Sequence, residues 1–245
     1  MSVEIPWLII VIIFIASTIF ATFGFGDALL ALPFLTIILG LQKATPLLAL
    51  SGYTLAICLL GMGYKYIRWK EAIKLVAGSL FGVPLGVWLL KHVDKDFMQG
   101  AVGIVIILIS LYSLFKPSLV AIKTDKSAPL FGFVGGILGG AFNTSAPPAV
   151  MFGAMRGWSP EKFVGMMQAY FIMTDLFVIF GHLGSGLLTK EILIYYLWCF
   201  PFLILAVYLG NLFKKKIPVD RFKDGVFVLI LLSGLMLLVR SLGVV

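Results

Sequence analysis

The sequence predicts an all-α, polytopic membrane protein made of two inverted repeats, each a re-entrant or broken helical hairpin followed by three transmembrane helices. Three observations lead there. First, 61% of the 245 residues are hydrophobic and only 12% are charged, with mean hydropathy +1.09. Soluble domains carry about 25% charged residues, so most of this surface must face something other than water. Second, apolar runs recur at 46–63, 72–90, 97–115, 163–182, 192–213 and 225–243. Each is long enough to cross a hydrocarbon core at about 1.5 Å rise per residue. Third, landmarks of the first half return in the same order in the second.

Those landmarks begin with "GFGDALLALP" at 24–33 and "GGAFNTSAPP" at 139–148, which also bring Pro33 onto Pro148. Gly40 then matches Gly157, "WKEAI" at 69–73 matches "TKEIL" at 189–193, and Gly86 matches Gly210. "DKDFMQG" at 94–100 resembles "PVDRFKDG" at 218–225. One shared glycine carries no weight, but an ordered series of landmarks is the mark of duplication.

Repeat one (1–115) opens with a hairpin over 5–40. Its first arm, 5–23, is long enough to span or nearly so, and it reads as mature structure, because Glu4 stands where a signal peptide needs a basic region. Helices at 46–63, 72–90 and 97–115 follow. Gly78, Gly82 and Gly86 have the small-xxx-small spacing of close helix packing. The polar stretch 116–128 is a linker. Repeat two (129–245) opens with a hairpin over 129–156, broken near Asn143. Each of its arms has roughly 13 residues, about 20 Å of helix, too short to cross comfortably. Helices at 163–182, 192–213 and 225–243 complete it.

An odd number of spans after each hairpin inverts the second repeat. With the N-terminus on side A, that side collects Lys43, Lys91, Lys95, Lys190 and Arg240, and the other fourteen of the 19 Lys and Arg fall on side B. The positive-inside rule makes side B cytoplasmic and leaves both termini outside. The net charge of +8 follows from those basic loops, and no aromatic-plus-basic nucleic-acid module accompanies it. Cys58 and Cys199 lie inside apolar spans and read as packed thiols. No spacing suits a metal, and no cofactor is expected.

The breakers define the candidate site. In each hairpin the second arm starts at the tip, so its unpaired N–H groups and partial positive charge lie inside the membrane. Two such termini, at Gly24, Gly26, Asp27 and Ala28 and at Asn143, Thr144, Ser145 and Ala146, form an anion site built largely from backbone. Simple N-capping accounts for the same residue types. Ser51 and Tyr53 on the first spanning helix, and Gln168 and Tyr170 on its counterpart, add polar groups. Asp175 is near mid-span, where a carboxylate is expensive and a functional candidate. With Asp27 it is a candidate for proton or cation coupling; an interhelical hydrogen bond is the competing role. His182 reads as an interface residue near the outer end. Arg156 and Trp158 read as a topology charge and a belt aromatic.

The two Gly-rich broken hairpins, each followed by proline and an apolar arm, and the "GLQKATP" and "GWSPEKF" loops resemble the TauE/SafE sulfite-exporter family over nearly the whole chain. The resemblance implies a secondary transporter of small sulfur-containing anions such as sulfite, sulfoacetate or thiosulfate in the inner membrane, with no catalytic residues. The chain departs from the usual motif at Asp27–Ala28, where further glycine is commoner, and "FNTSAPP" is richer in donors. A passive anion channel is the alternative; an intramembrane enzyme would need a nucleophile–base pair or metal ligands. The expected partners are the anion and the bilayer, and a homodimer is among the assemblies the sequence allows.

Overall fold

The computed structural model describes residues 7–63, 65, 67–115, 121–214, 228, 230–232, 234–239, 241 and 242. Residues 116–120 of the expected linker, parts of the expected helix 225–243, residues 215–224 and both chain ends lie outside the described residues. Among the described residues all regular structure is helical: α1 (Trp7–Phe23), α2 (Asp27–Leu39), α3 (Leu41–Gly63), α4 (Trp69–His92), α5 (Lys95–Phe115), α6 (Ala128–Phe142), α7 (Ala146–Met155), α8 (Pro160–Gly184) and α9 (Lys190–Lys214). Five of these, α3, α4, α5, α8 and α9, are long and apolar enough to cross a membrane. The short ones come in pairs, α1 with α2 and α6 with α7. At 13 and 10 residues, α2 and α7 reach about 20 and 15 Å, well short of a ~30 Å hydrocarbon core.

The helices pack in a pattern that survives exchange of the two halves. α4 packs on α6 and α9 packs on α1; α4 also meets α8, and α9 meets α3; α3 and α8 pair with each other. Glycine makes the closest contacts. A β-carbon on Gly82 would stand 2.9 Å from Ile137 N and 3.0 Å from Gly136 Cα, and one on Gly136 would stand 2.7 Å from Ser79 Cα. The glycines assigned to packing therefore bring α4 against α6, backbone on backbone. Gly86 and Gly210, aligned in the sequence, do equivalent work: the first faces Ala141 N of α6 at 2.9 Å, the second Thr18 O of α1 at 2.9 Å. α5 packs at the edge of this core, burying Met98, Val102 and Ile106 and setting Gly103 against the Gly234 carbonyl. Its outward face carries Phe97, Ile104 and Leu108, as a lipid-facing helix should.

This interface yields a prediction. Gly136→Val drives a branched side chain into the α4 backbone, and overpacking of a tight core costs typically 1–3 kcal/mol. Thermal unfolding in detergent should show a marked loss of stability or of monodisperse protein. Gly184→Ala, where a β-carbon meets nothing within 4 Å, should unfold like the parent. Equal behaviour of the two variants would contradict the packing.

Two ends of the bundle are tied by charge. Lys162 Nζ meets Glu71 Oε2 at 2.6 Å, Arg68 meets Glu71 at 3.5 Å, and Asp125 accepts from Lys74 and lies 2.9 Å from Arg156 Nη2. The starts of α4 and α8, the end of α7 and residues 121–127 thus gather at one end. Arg156 and Trp158 do more than the sequence reading gave them. Arg156 Nη1 donates to Ile122 O at 3.0 Å, and Ile122 N donates to Met155 O at 2.8 Å, pinning the connecting segment to the base of α7. Trp158 packs edge-on against Phe152, with Lys162 Nζ over its ring. At the other end Lys43 meets Glu191 at 2.8 Å, Lys91 donates to Ser185 O, and Gln42 donates to Leu90 O.

Candidate functional site

The first tip is made by glycine. α1 closes with Gly24 N donating to Phe20 O at 2.6 Å. Gly24 (φ 86°) and Gly26 (φ 105°) then turn the chain through left-handed conformations that cost a residue with a β-carbon about 1–2 kcal/mol each. The ladder of α2 starts with Leu30 N donating to Gly26 O at 3.2 Å. The amides of Asp27, Ala28 and Leu29 precede it and have no helical acceptor. No side chain of the cap residue Gly26 satisfies them.

The second tip solves the same turn differently. Asn143 takes the left-handed conformation (φ 52°, ψ 29°), which asparagine tolerates better than other non-glycine residues. That lets Asn143 N donate to Gly139 O at 2.8 Å and Thr144 N to Leu138 O at 3.2 Å. α7 then opens with Ala146, Pro147 and Pro148. The prolines fit a first helical turn but have no N–H. Two of the three backbone donors present at the first tip are therefore missing here. The side chains of Asn143, Thr144 and Ser145, all buried, are what this tip has to offer instead.

Both tips line one cavity. Gly26, Asp27, Ala28 and Leu29 face Asn143, Thr144, Ser145 and Ala146 across it, with Phe20, Phe25 and Phe171 as apolar walls. Its volume is about 20 Å³, room for roughly one water. Asp175 of α8 and Gly52 of α3 complete the lining. A β-carbon on Gly52 would sit 3.4 Å from Asp175 Oδ2, 3.5 Å from Asp27 Oδ2 and 3.6 Å from Asn143 Nδ2. Three polar side chains from three separate elements thus converge on one bare stretch of backbone. The two carboxylate oxygens are no more than about 7 Å apart, since both lie within 3.5 Å of that point. Asp27 Oδ2 and Asn143 Oδ1 are buried and have no hydrogen-bond partner among the described residues. Buried polar atoms are nearly always satisfied, so such exceptions point to a function.

The match to known families can now be weighed. The profile described as sulfite exporter TauE/SafE covers residues 9–237, a span that includes both tips, Gly52 and Asp175. The chain belongs to the TauE/SafE sulfite exporter family. A relative from Cupriavidus necator, named as a probable sulfite/organosulfonate exporter TauE, is 27% identical over 206 residues, covering 81% of this chain and 80% of its own. No solved structure matches.

In this TauE/SafE chain one helix holds both tips. Gln168, Asp175 and His182 recur every seven residues along α8, close to two full turns each, so they share a face. Gln168 Nε2 donates to Gly24 O at 3.2 Å, Asp175 faces the cavity, and His182 Nε2 lies 3.1 Å from Gly140 O. His182 is fully buried at the end of α6, where the sequence reading had it near the outer boundary. Gln168 and His182 position the tips; they do not line the cavity.

Besides Gln168, four expected residues are elsewhere. Ser51 donates to Leu47 O of its own helix at 3.0 Å, and the neighbouring Tyr53 is half-buried outside the cavity. Tyr170 is within 3.0 Å of Ser79 Oγ, between α8, α4 and α6. Gly24 contributes its carbonyl to Gln168 rather than a cavity wall. Gly52, which the sequence reading passed over between Ser51 and Tyr53, has no side chain to signal it. Among the described residues no group of three or more His, Cys, Asp or Glu is arranged to hold a metal ion.

Proposed function

We propose that this chain is a secondary transporter of small sulfur-containing anions (sulfite, thiosulfate, sulfoacetate or related sulfonates) that binds the anion between the two half-helix N-termini. One observation carries the reading: both tips and both intramembrane carboxylates converge on the same cavity at Gly52. Family membership and the exporter name of the Cupriavidus relative support the substrate class. The first tip supplies mainly backbone N–H groups, the second mainly the Asn143 amide and the Thr144 and Ser145 hydroxyls. Neither tip uses a buried cation, which suits a site that must release its anion again.

The carboxylates decide the coupling. One helix terminus favours an anion by about 0.3–1 kcal/mol, up to ~2 when buried. Two charges 7 Å apart repel by roughly 2 kcal/mol at an effective dielectric of 20. Two ionised carboxylates beside the anion therefore cancel what two helix ends offer. Asp27 and Asp175 must take up positive charge, a proton or a cation, when the anion enters. Anion and positive charge then move together. The cavity holds about one water, so loading also requires the tips to part.

The transport cycle follows from the exchange symmetry of the packing. The inverted-repeat reading is supported by the directions of the helices: the start of α4 is tied to the start of α8, while α9 starts at the other end, beside the start of α3. Inverted repeats around discontinuous helices allow one half to rock against the other about a central site. In this reading the end holding Glu71 and Lys162 is cytoplasmic.

Binding of a panel of sulfite, thiosulfate, sulfoacetate, sulfate and chloride to the purified protein tests the substrate class. Sulfite or a sulfonate should bind, and chloride should not compete. Asn143→Ala and Ser145→Ala should each weaken the bound sulfur anion by about 1–2 kcal/mol, roughly 5- to 30-fold, through loss of a hydrogen bond to a charged ligand. Unchanged affinity in both variants would sink the second tip as a ligand.

A further inference from the structure

We propose that two ion pairs, Lys43–Glu191 and Glu71–Lys162, are the opposing gates of the transport cycle, each holding the two halves together on one side of the membrane. It rests on the reading that the site lies between the halves and adds the residues that control access to it. The observation is a correspondence. Each pair joins the first turn of a central helix (α3 or α8) to the first turn of the helix that opens the following span in the other half (α9 or α4). Glu71 and Glu191 are the same residue of the two repeats, the glutamates of "WKEAI" and "TKEIL". Exchange of the halves therefore carries one pair onto the other.

The two lie at opposite ends. Lys91, at the close of α4, donates to Ser185 at the close of α8, the end where α9 begins. Glu71 and Lys91 are separated by twenty residues of one helix, about 30 Å. The cavity at Gly52 lies between these levels, because Lys43 precedes Gly52 on α3 and Gly63 ends it. Opening the α4–α8 contact at one end must break Glu71–Lys162 together with the Lys74–Asp125 contact beside it, and opening the α3–α9 contact at the other must break Lys43–Glu191; neither opening breaks the other pair.

The pairs are unequal in this structure. Lys162 and Glu71 are 18% and 11% exposed, and the neighbouring Asp125–Arg156 and Asp125–Lys74 pairs add to that end. Lys43 and Glu191 are 45% and 35% exposed, and the further hydrogen bond to Glu191, from Tyr195 Oη, comes from α9 itself and ties nothing across this end. Exposed pairs are weak, while removing one partner of a buried pair leaves an uncompensated charge. The Glu71–Lys162 end is the more firmly shut, and the Lys43–Glu191 end opens first.

The test uses a cysteine at Thr144 on the second tip, in a background with Cys58→Ser and Cys199→Ser, reconstituted in vesicles. Membrane-impermeant thiol reagent is added from one face or the other, and cysteines at Lys70 and Lys190 identify the faces. Glu71→Gln should raise labelling at least severalfold from the Lys70 face alone, and Glu191→Gln from the Lys190 face alone. The swaps Glu71→Lys with Lys162→Glu, and Lys43→Glu with Glu191→Lys, should return labelling toward the parent level and show that each variant folds. Labelling that rises from both faces, from neither, or that the swaps leave raised would overturn the gates. Sulfite binding to the unaltered protein, measured in parallel, reports separately on the site itself.

Discussion

Gly52→Val should abolish anion binding while leaving the protein folded. A single methyl at this position meets Asp175, Asp27 and Asn143 at 3.4–3.6 Å, ordinary contact distance. Gly52→Ala therefore fits, but it occupies most of a cavity of about 20 Å³, roughly the space of one water. Its affinity for the sulfur anion should fall at least tenfold. Valine adds two further carbons among the same three side chains and removes the space altogether. Gly52 lies in the middle of α3, where alanine has better helix propensity by up to about 1 kcal/mol, so Gly52→Ala should hold its thermal stability as affinity falls, while the two further carbons of valine cost about 1–3 kcal/mol of overpacking, short of unfolding the protein. Parental affinity in Gly52→Val, measured by calorimetry on monodisperse protein, would move the site away from the tips.

Neutralising the carboxylates should separate binding from coupling. In Asp27→Asn and Asp175→Asn the shape is kept, and Asp27 stands in the first turn of α2, behind the cap residue Gly26, where loss of its charge removes about 0.3–1 kcal/mol of helix-dipole interaction. If Asp27 only favours the start of α2 and Asp175 only bonds between helices, both variants should transport like the parent. The proposed site predicts otherwise. In the unaltered protein the carboxylates must gain positive charge before the anion enters. With proton as the coupling ion, affinity for a sulfonate, whose own charge is constant near neutral pH, rises as pH falls. Each variant has one negative charge fewer in the cavity, so the anion should bind as tightly or more tightly, with a flatter pH dependence. Gradient-driven uptake or efflux should drop by at least tenfold, while exchange of anion for anion should survive. If sodium is the coupling ion, the same variants lose sodium dependence instead. Full driven transport with parental ion dependence in both variants would return the two aspartates to structural roles.

Much of this was legible in the sequence because the bilayer removes alternatives. Unbroken apolar runs of about 20 residues can satisfy their backbone in a bilayer as helices, each within its own segment, and Gly24, Gly26 and Asn143 stand out because they interrupt such runs. Asp27 and Asp175 stand out for the same reason. Side-chain direction was harder. Neighbouring positions on a helix point about 100° apart, so Ser51 and Tyr53 flank the inward direction of α3 without sharing it, and glycine at 52 gives no polarity to read. Tyr170, two residues from Gln168, points about 200° away from it on α8, toward Ser79. The seven-residue series Gln168, Asp175, His182 was available as a pattern. Its last member, near the helix end, has the position of an interface residue, although the end of α6 comes up beside it. The two prolines of α7 suit a first helical turn. Their missing N–H groups, which shift the second tip from backbone to side-chain donors, become significant only once both tips face the same cavity.

The measurement that bears most directly on the account is counterflow of labelled sulfite in vesicles containing the purified protein, with Gly52→Val vesicles alongside. Vesicles loaded with unlabelled sulfite should accumulate the labelled anion transiently above equilibrium, as only a carrier with an alternately exposed site can, and the Gly52→Val vesicles should show none. Simple equilibration without overshoot in the unaltered protein, or an overshoot that persists in Gly52→Val, would contradict a transporter built around that cavity.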